Sequence, residues 1–391
     1  MNSRSAVILA AHPWNGIPYG LHHIARALAR LEWRVLYIDP YFSPLHLLGG
    51  RRRGRVFGSL PRVSDEPGVT VLSPFTLAPH INLPLLRSRA WLHMTNHVSW
   101  PRISPQYLSR IGFTQPDLVV CGSPIAAEVA LSLNAAMRLY RFADDSRLFD
   151  VLSPALRSAE LDAIRRFDGV IATSSSLVSR AEGLGAKRVL LVSNGVDRAY
   201  FERPSPPLPA VAALPQPRIL YAGAVESWFD WQLMIHAARA RPNYTFVIVG
   251  RIGMEPTAPL PENIHLIGQR PYHEMPAFMQ ASHVGIIPFA SRHVEDAIQA
   301  INPLKLYEYL AAGRPVVSSI RPPDLQCEGL FIYSGREEFL ENLDTAIGLS
   351  NVKIEAPGCV DWITIVGRML DSLQLTRGHD VKDRMQSQQD R

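Results

Sequence analysis

The chain has 391 residues, 47% of them hydrophobic and 19% charged, with a net charge of +5. That length exceeds what one hydrophobic core fills, so two domains are expected, and the composition excludes a disordered or fibrous chain. Three widely spaced cysteines, Cys121, Cys327 and Cys359, exclude a disulfide framework and point to a reducing compartment, and no run reaches the roughly 18 apolar residues of a transmembrane helix.

In chain order, Met1-Asn2-Ser3-Arg4-Ser5 precedes a short apolar run, Ala6–Ala11, which reads as a buried first strand and not as a signal peptide. His12 follows this strand and faces the ligand side of an α/β sheet. A helix over 21–31 and a strand over 34–38 complete a βαβ unit. His22 and His23 at the start of that helix read as packed or solvated. Gly16 and Gly20 do not form the dinucleotide fingerprint.

Charge is uneven. Residues 1–200 carry nine excess basic charges, residues 201–391 four excess acidic ones, and residues 51–110 alone seven excess basic ones. Arg51, Arg52, Arg53 and Arg55 lie among Leu45, Leu47, Leu48, Val56 and Phe57, with Arg87, Arg89, Trp91 and Trp100 further on. Basic residues interleaved with apolar ones suit an anionic membrane surface, and no nucleic-acid motif accompanies them.

Strands are predicted over 117–121, 138–142, 169–173 and 188–192, with helices over 155–166 and 175–184. Ser193-Asn194-Gly195-Val196-Asp197 and six prolines between 204 and 217 then read as a linker. A second βαβ pattern begins with a strand over 218–223, a helix over 231–240 and a strand over 244–249. Later strands are predicted at 265–266, 284–287 and 316–319. The fold class is therefore α/β, two Rossmann-like doubly wound parallel sheets. The divisions are 1–200, a linker over 201–217, 218–360, a C-terminal helix over 361–374 packing back on the first domain, and a disordered tail over 375–391.

The densest chemistry lies at Asn302-Pro303-Leu304-Lys305-Leu306-Tyr307-Glu308, continuing to Gly313-Arg314-Pro315-Val316-Val317. Asn302 is the expected N-cap and Pro303 the first helical residue, with Gly313 as the stop. Lys305 and Glu308 are three apart and share one face. A cation at a helix N-terminus attracts phosphate, and a carboxylate beside it can accept ribose hydroxyls.

This segment resembles the donor-binding helix of GT-B glycosyltransferases of group 1. The order of two Rossmann-like domains, an Asn-Gly-Val-Asp turn and a late donor helix extends the resemblance over most of the chain. The second half is similar to bacterial exopolysaccharide transferases, such as the xanthan glucuronosyltransferase and teichuronic-acid-type transferases. The matching residues are Tyr221 to Asp230, Val249-Gly250, Leu266-Ile267-Gly268 with Pro271-Tyr272, Gly285 to Phe289, and Asn302 to Lys305. The resemblance implies two domains facing a central cleft and a nucleotide-diphosphate sugar donor, UDP-linked. It implies no metal or other cofactor, and donor contacts from Arg251, Asn302, Lys305, Tyr307 and Glu308. It also implies a lipid-linked or polysaccharide acceptor at the inner face of the plasma membrane of a bacterium.

Tyr140 to Asp145 resembles the loop that carries the base in the xanthan enzyme, with Asp144 on the base position, Asp145 its neighbour and His12 the third candidate. Many retaining relatives carry a second Glu eight residues before the donor Glu. Ala300 stands there in this chain, with Glu295 and Asp296 upstream. A nucleotide-sugar epimerase and an inactive nucleotide-sugar-binding partner are the alternative readings.

Overall fold

A computed structural model describes residues 4–44, 58, 60–81, 83, 86–144, 153–290, 301–322, 325, 327–350, 354 and 358–375. Asp145, the Arg51–Arg55 run, Glu295, Asp296, Ala300 and the tail from 376 lie outside the described residues. The chain forms two units, residues 1–193 with 362–391, and residues 194–361.

The first unit is built on an eight-stranded sheet. Its strands are β1 (Ser5–Leu9), β2 (Arg34–Ile38), β3 (Arg62–Val63), β4 (Val69–Leu72), β7 (Leu118–Cys121), β8 (Met137–Phe142), β9 (Gly169–Ala172) and β10 (Val189–Leu191). A separate antiparallel ribbon pairs β5 (Phe75–Thr76) with β6 (Ser99–Trp100). The sheet order is β10-β9-β8-β7-β1-β2-β4-β3, parallel except for the β3 edge. Ala6, Val7 and Ile8 are fully buried, as are Leu118 to Cys121. Both faces are therefore covered, and these strands appear in the sequence as unbroken apolar runs. Strand order reverses between β1 and β7, the position at which doubly wound sheets bind ligands.

The final helix, Trp362–Ser372, belongs to this first unit and packs on the helix Gly20–Arg30. Trp362 and His23 stack with centroids 5.2 Å apart and planes within 2°. Val366, Met369 and Leu370 supply the buried stripe that makes the helix amphipathic.

The second unit holds six parallel strands: β11 (Arg218–Ala222), β12 (Thr245–Val249), β13 (Ile264–Gly268), β14 (Val284–Ile287), β15 (Val316–Ser318) and β16 (Leu330–Ile332). Their order is β13-β12-β11-β14-β15-β16, so the reversal falls between β11 and β14. The proline-rich segment lies inside this unit, and the change of unit falls at 193/194, not at 200. Phe201 and Val211 are buried in the core of the second unit. The buried Arg218 guanidinium donates to the carbonyls of Ala212, Leu214 and Ala281. Apolar anchors and these bonds hold a stretch whose prolines alone read as a linker. Among the described residues no helix is long and apolar enough to cross a membrane.

Candidate functional site

In the second unit the site grows from the helix Leu304–Ala311. Tyr309 fixes it to the sheet: its hydroxyl donates to the Leu220 carbonyl at 3.0 Å and accepts from the Ala222 amide at 2.7 Å. Gly285 on β14 makes this possible, because a Cβ there would run into the Tyr309 ring. The helix is thereby clamped across β11 and β14 with its N-terminus at the reversal of strand order.

The helix begins one residue later than expected. Pro303, in extended conformation, is the N-cap, and no side chain caps the helix. Asn302 is buried, and its carbonyl accepts a bond from the Asn194 side chain at 2.5 Å. That bond ties the segment entering the helix to the Asn194-Gly195-Val196-Asp197 turn.

Lys305 places its ammonium 4.2 Å from the centre of the Tyr221 ring and 5.4 Å from that of Phe289, at the ends of β11 and β14. The rings hold the cation through their negative faces while leaving its hydrogen-bond donors unspent. Gly223, with φ +156°, lies beside it, and a Cβ there would push the Lys305 ammonium aside. Gly250, with φ +154°, lies so close that a Cβ would overlap the Gly223 carbonyl. Backbone thus replaces side chains around Lys305.

Glu308 is 9% exposed and accepts a hydrogen bond from the Tyr272 hydroxyl at 2.7 Å. Burial pushes its carboxyl up to about 7, against the opposing effects of Tyr272 and Lys305. Burial likewise draws Lys305 down to about 7, opposed by Glu308. Lys305 is half-buried, so water still reaches its ammonium. Tyr272 is in turn held by Tyr200, whose ring lies parallel to it at 5.8 Å, and by Phe201 edge-on at 6.1 Å.

The other expected donor contacts separate from this cluster. Arg251 is exposed and forms an ion pair with Glu226, so an anion has to compete for it. Tyr307 is 3% exposed and lies in the hydrophobic core, where it supports the helix and presents no contact surface. Asn194 and Tyr272 carry positioning roles that the sequence did not single out. Tyr272 sits in the Pro271-Tyr272 pair quoted above, but its partner is 36 residues away.

In the first unit His12 is exposed beyond β1, its ring stacked on Tyr19 at 3.8 Å. Asp144 is exposed beyond β8. Strand β7 separates β1 from β8, a spacing of about 10 Å. Burial lowers the Arg141 guanidinium to about 10, and the charge of Asp144 opposes that shift. His22 and His23 are both buried. His22 accepts from the Tyr19 amide at Nδ1, and its Nε2 lies 3.0 Å from the Pro13 carbonyl, which assigns the proton to Nε2. Burial lowers its pKa to about 4, so it stays neutral and structural. A cavity of about 230 Å³ opens at the C-terminal ends of β1, β2 and β7, lined by Leu9, Ala10, Ile38, Asp39, Tyr41 and Ser123 among others.

Residues 216–346 match the family of glycosyl transferases group 1. The chain is 28% identical over 189 residues to the teichuronic acid biosynthesis glycosyltransferase TuaH of Bacillus subtilis. That match covers 46% of this chain and 47% of the relative, so it spans about half of the relative's length. Among solved structures, sucrose-phosphate synthase of Thermosynechococcus elongatus superposes with a TM-score of 0.63 at 14% identity, covering 95% of this chain and 96% of that one. HepE of Anabaena, solved with UDP and glucose, gives 0.60 at 15% identity over 95% and 99%. The fold is that of the GT-B proteins. The Lys305–Glu308 helix lies inside the segment, residues 216–346, that matches the glycosyl transferases group 1.

Proposed function

We propose that the chain transfers a sugar from UDP to a lipid-linked or polysaccharide acceptor in the synthesis of a bacterial surface polysaccharide. One observation carries the reading: Lys305 and Glu308 stand one turn apart at a helix N-terminus, at the reversal of strand order in the second unit. Lys305 and the free backbone amides of Leu304 and Lys305 meet the diphosphate. Glu308, ionised, accepts the ribose hydroxyls.

In the reaction the anomeric C–O bond to the diphosphate breaks and a bond to the acceptor oxygen forms. UDP leaves with the bonding electrons, and the acceptor proton passes to a carboxylate. The leaving diphosphate gains charge in the transition state, so fixed donors such as Lys305 favour it over the ground state. Asp144 is assigned the proton, as the carboxylate beyond a parallel strand of the first unit. Asp145 and His12 are the residues to test next.

The similarity to a teichuronic acid transferase supports an envelope polysaccharide as product. The acid-poor first unit supports work at the inner face of the plasma membrane. Incubation with UDP-sugars, with and without a lipid-linked glycan, tests the reading. Acceptor-dependent UDP release with sugar in the lipid fraction is the expected result. UDP release or sugar isomerisation indifferent to acceptor would instead indicate an epimerase.

A further inference from the structure

The helix Arg89–His97 of the first unit is held in place by its buried face. Ser88 caps it, accepting from the Trp91 amide at 3.2 Å. Leu92, Thr95 and Asn96 are buried. The Thr95 hydroxyl donates to the Ala78 carbonyl at 2.6 Å. The Asn96 side chain donates to the Ile125 carbonyl at 3.0 Å and accepts from the Tyr41 hydroxyl at 2.9 Å. The Ile125 bond ties the last turn to the segment that enters the helix Ala127–Ser132. These bonds set the roll of the helix, so the exposed positions 93 and 97 share one face.

His93 and His97 occupy that face, with ring centroids 3.9 Å apart and planes inclined by 34°. His93 Nδ1 lies 2.6 Å from a carboxylate oxygen of Glu128, on the neighbouring helix. His97 Nδ1 lies 3.0 Å from the His93 carbonyl oxygen. A carboxylate and a carbonyl only accept, so in each ring the proton sits on Nδ1 and the lone pair on Nε2. Among the described residues neither Nε2 has a hydrogen-bond partner. The free carbonyl of a last turn accounts for His97 alone. It does not account for a second imidazole against it, held by a carboxylate and with its Nε2 equally bare. One ring nitrogen spent on an oxygen and the other left open is how proteins orient histidines toward a metal.

We infer that His93 and His97 bind a divalent transition-metal ion of the zinc class through their Nε2 atoms, with Glu128 as the outer partner that orients His93. Two histidines one turn apart on one helix face is the spacing at which imidazoles share an ion. Among the described residues no three His, Cys, Asp or Glu side chains converge on one ion, so the pair supplies two ligands and water completes the shell. Imidazole nitrogen suits zinc, nickel and copper, whereas magnesium and calcium take oxygen. Coordination at Nε2 draws charge out of the ring and strengthens the Nδ1–H bond to Glu128. The ion thereby braces the helix Arg89–His97 against the helix Ala127–Ser132. No residue of the Lys305–Glu308 helix enters the inference, so it stands apart from the donor reading.

The test is titration of zinc chloride into the chelator-stripped full chain, without nucleotide, in competition with a metallochromic indicator. Wild type is expected to take up zinc, and His93→Ala and His97→Ala are each expected to weaken it by about tenfold or more. Glu128→Gln is expected to weaken it by about tenfold, the effect of losing an outer-shell carboxylate. Zinc should raise the melting temperature of wild type but not that of His93→Ala/His97→Ala, and magnesium should raise neither. The three side chains are exposed, and melting of each variant in chelator reports that it is folded. Zinc affinity unchanged in both single histidine variants would overturn the inference. So would uptake of magnesium equal to that of zinc. Unchanged affinity in Glu128→Gln would remove Glu128 from the site.

Discussion

Tyr272→Phe removes one oxygen and isolates the question of how Glu308 is held. The hydroxyl donates to a buried carboxylate at 2.7 Å, and the Tyr200 stack keeps the Phe ring in place. Hydrogen bonds to charged groups contribute about 1.5–3 kcal/mol, and a buried acceptor left bare incurs a desolvation cost. In the variant the ionised form of Glu308 loses that support, so its pKa, already near 7, rises further. A protonated Glu308 accepts ribose hydroxyls poorly. UDP-glucose affinity at neutral pH is therefore expected to fall by about tenfold or more, since 1.4 kcal/mol is a factor of ten. The acid side of the binding–pH curve should move to higher pH, and the optimum should narrow, because Lys305 still loses its proton on the alkaline side. Calorimetric titration with UDP-glucose across pH 5.5 to 9, roughly two units either side of that pKa, reads both effects. A Tyr272→Phe protein with wild-type affinity and an unmoved acid limb would refute the reasoning.

Four further outcomes follow from the same geometry. In wild type, UDP-glucose binding should peak near neutral pH, because Glu308 gains a proton below about 7 and Lys305 loses one above about 7; Lys305→Met should abolish the alkaline limb and Glu308→Gln the acid one, both read by the same titration. Asp144→Asn should slow transfer by about 10²–10⁴ while leaving UDP-glucose affinity unchanged, measured by acceptor-dependent product formation beside calorimetry; if donor affinity falls in parallel, Asp144 is not the base. Gly250→Ala should destabilise the second unit by about 1–3 kcal/mol, seen in urea unfolding, because its Cβ meets the Gly223 carbonyl backbone. Arg251→Ala should weaken the donor less than Lys305→Ala does, since Arg251 already spends its charge on Glu226.

The sequence disclosed most of the framework because the central strands are buried on both faces. Continuous apolar runs such as Leu118 to Cys121, or Phe246 to Val249, need no tertiary information to be recognised. By contrast β3, β5 and β6 are two residues long and exist only because neighbours pair with them. β16 is half-buried throughout and carries no clear pattern. The proline-rich stretch misled because prolines mark irregular backbone whether or not it is packed, and Phe201 and Val211 decide that it is packed.

At the site, Lys305 and Glu308 were legible because helical spacing places them on one face. The same geometry puts Tyr307 about 200° around the axis from Lys305, which is why it turns into the core. Asn302 reads as an N-cap from composition, but the bond its carbonyl accepts from Asn194 holds it outside the helix, which starts one residue further on. Tyr272 and Asn194 act through partners 36 and 108 residues away, so no local pattern could assign them.

The central claim is that the Lys305–Glu308 helix binds a nucleotide diphosphate, and calorimetric titration of UDP into wild type, Lys305→Ala and Glu308→Ala tests it most directly. The account predicts saturable binding by wild type and a loss of roughly tenfold or more in each folded variant, the scale of one charge-assisted contact. Wild-type affinity for UDP retained in both variants would contradict it.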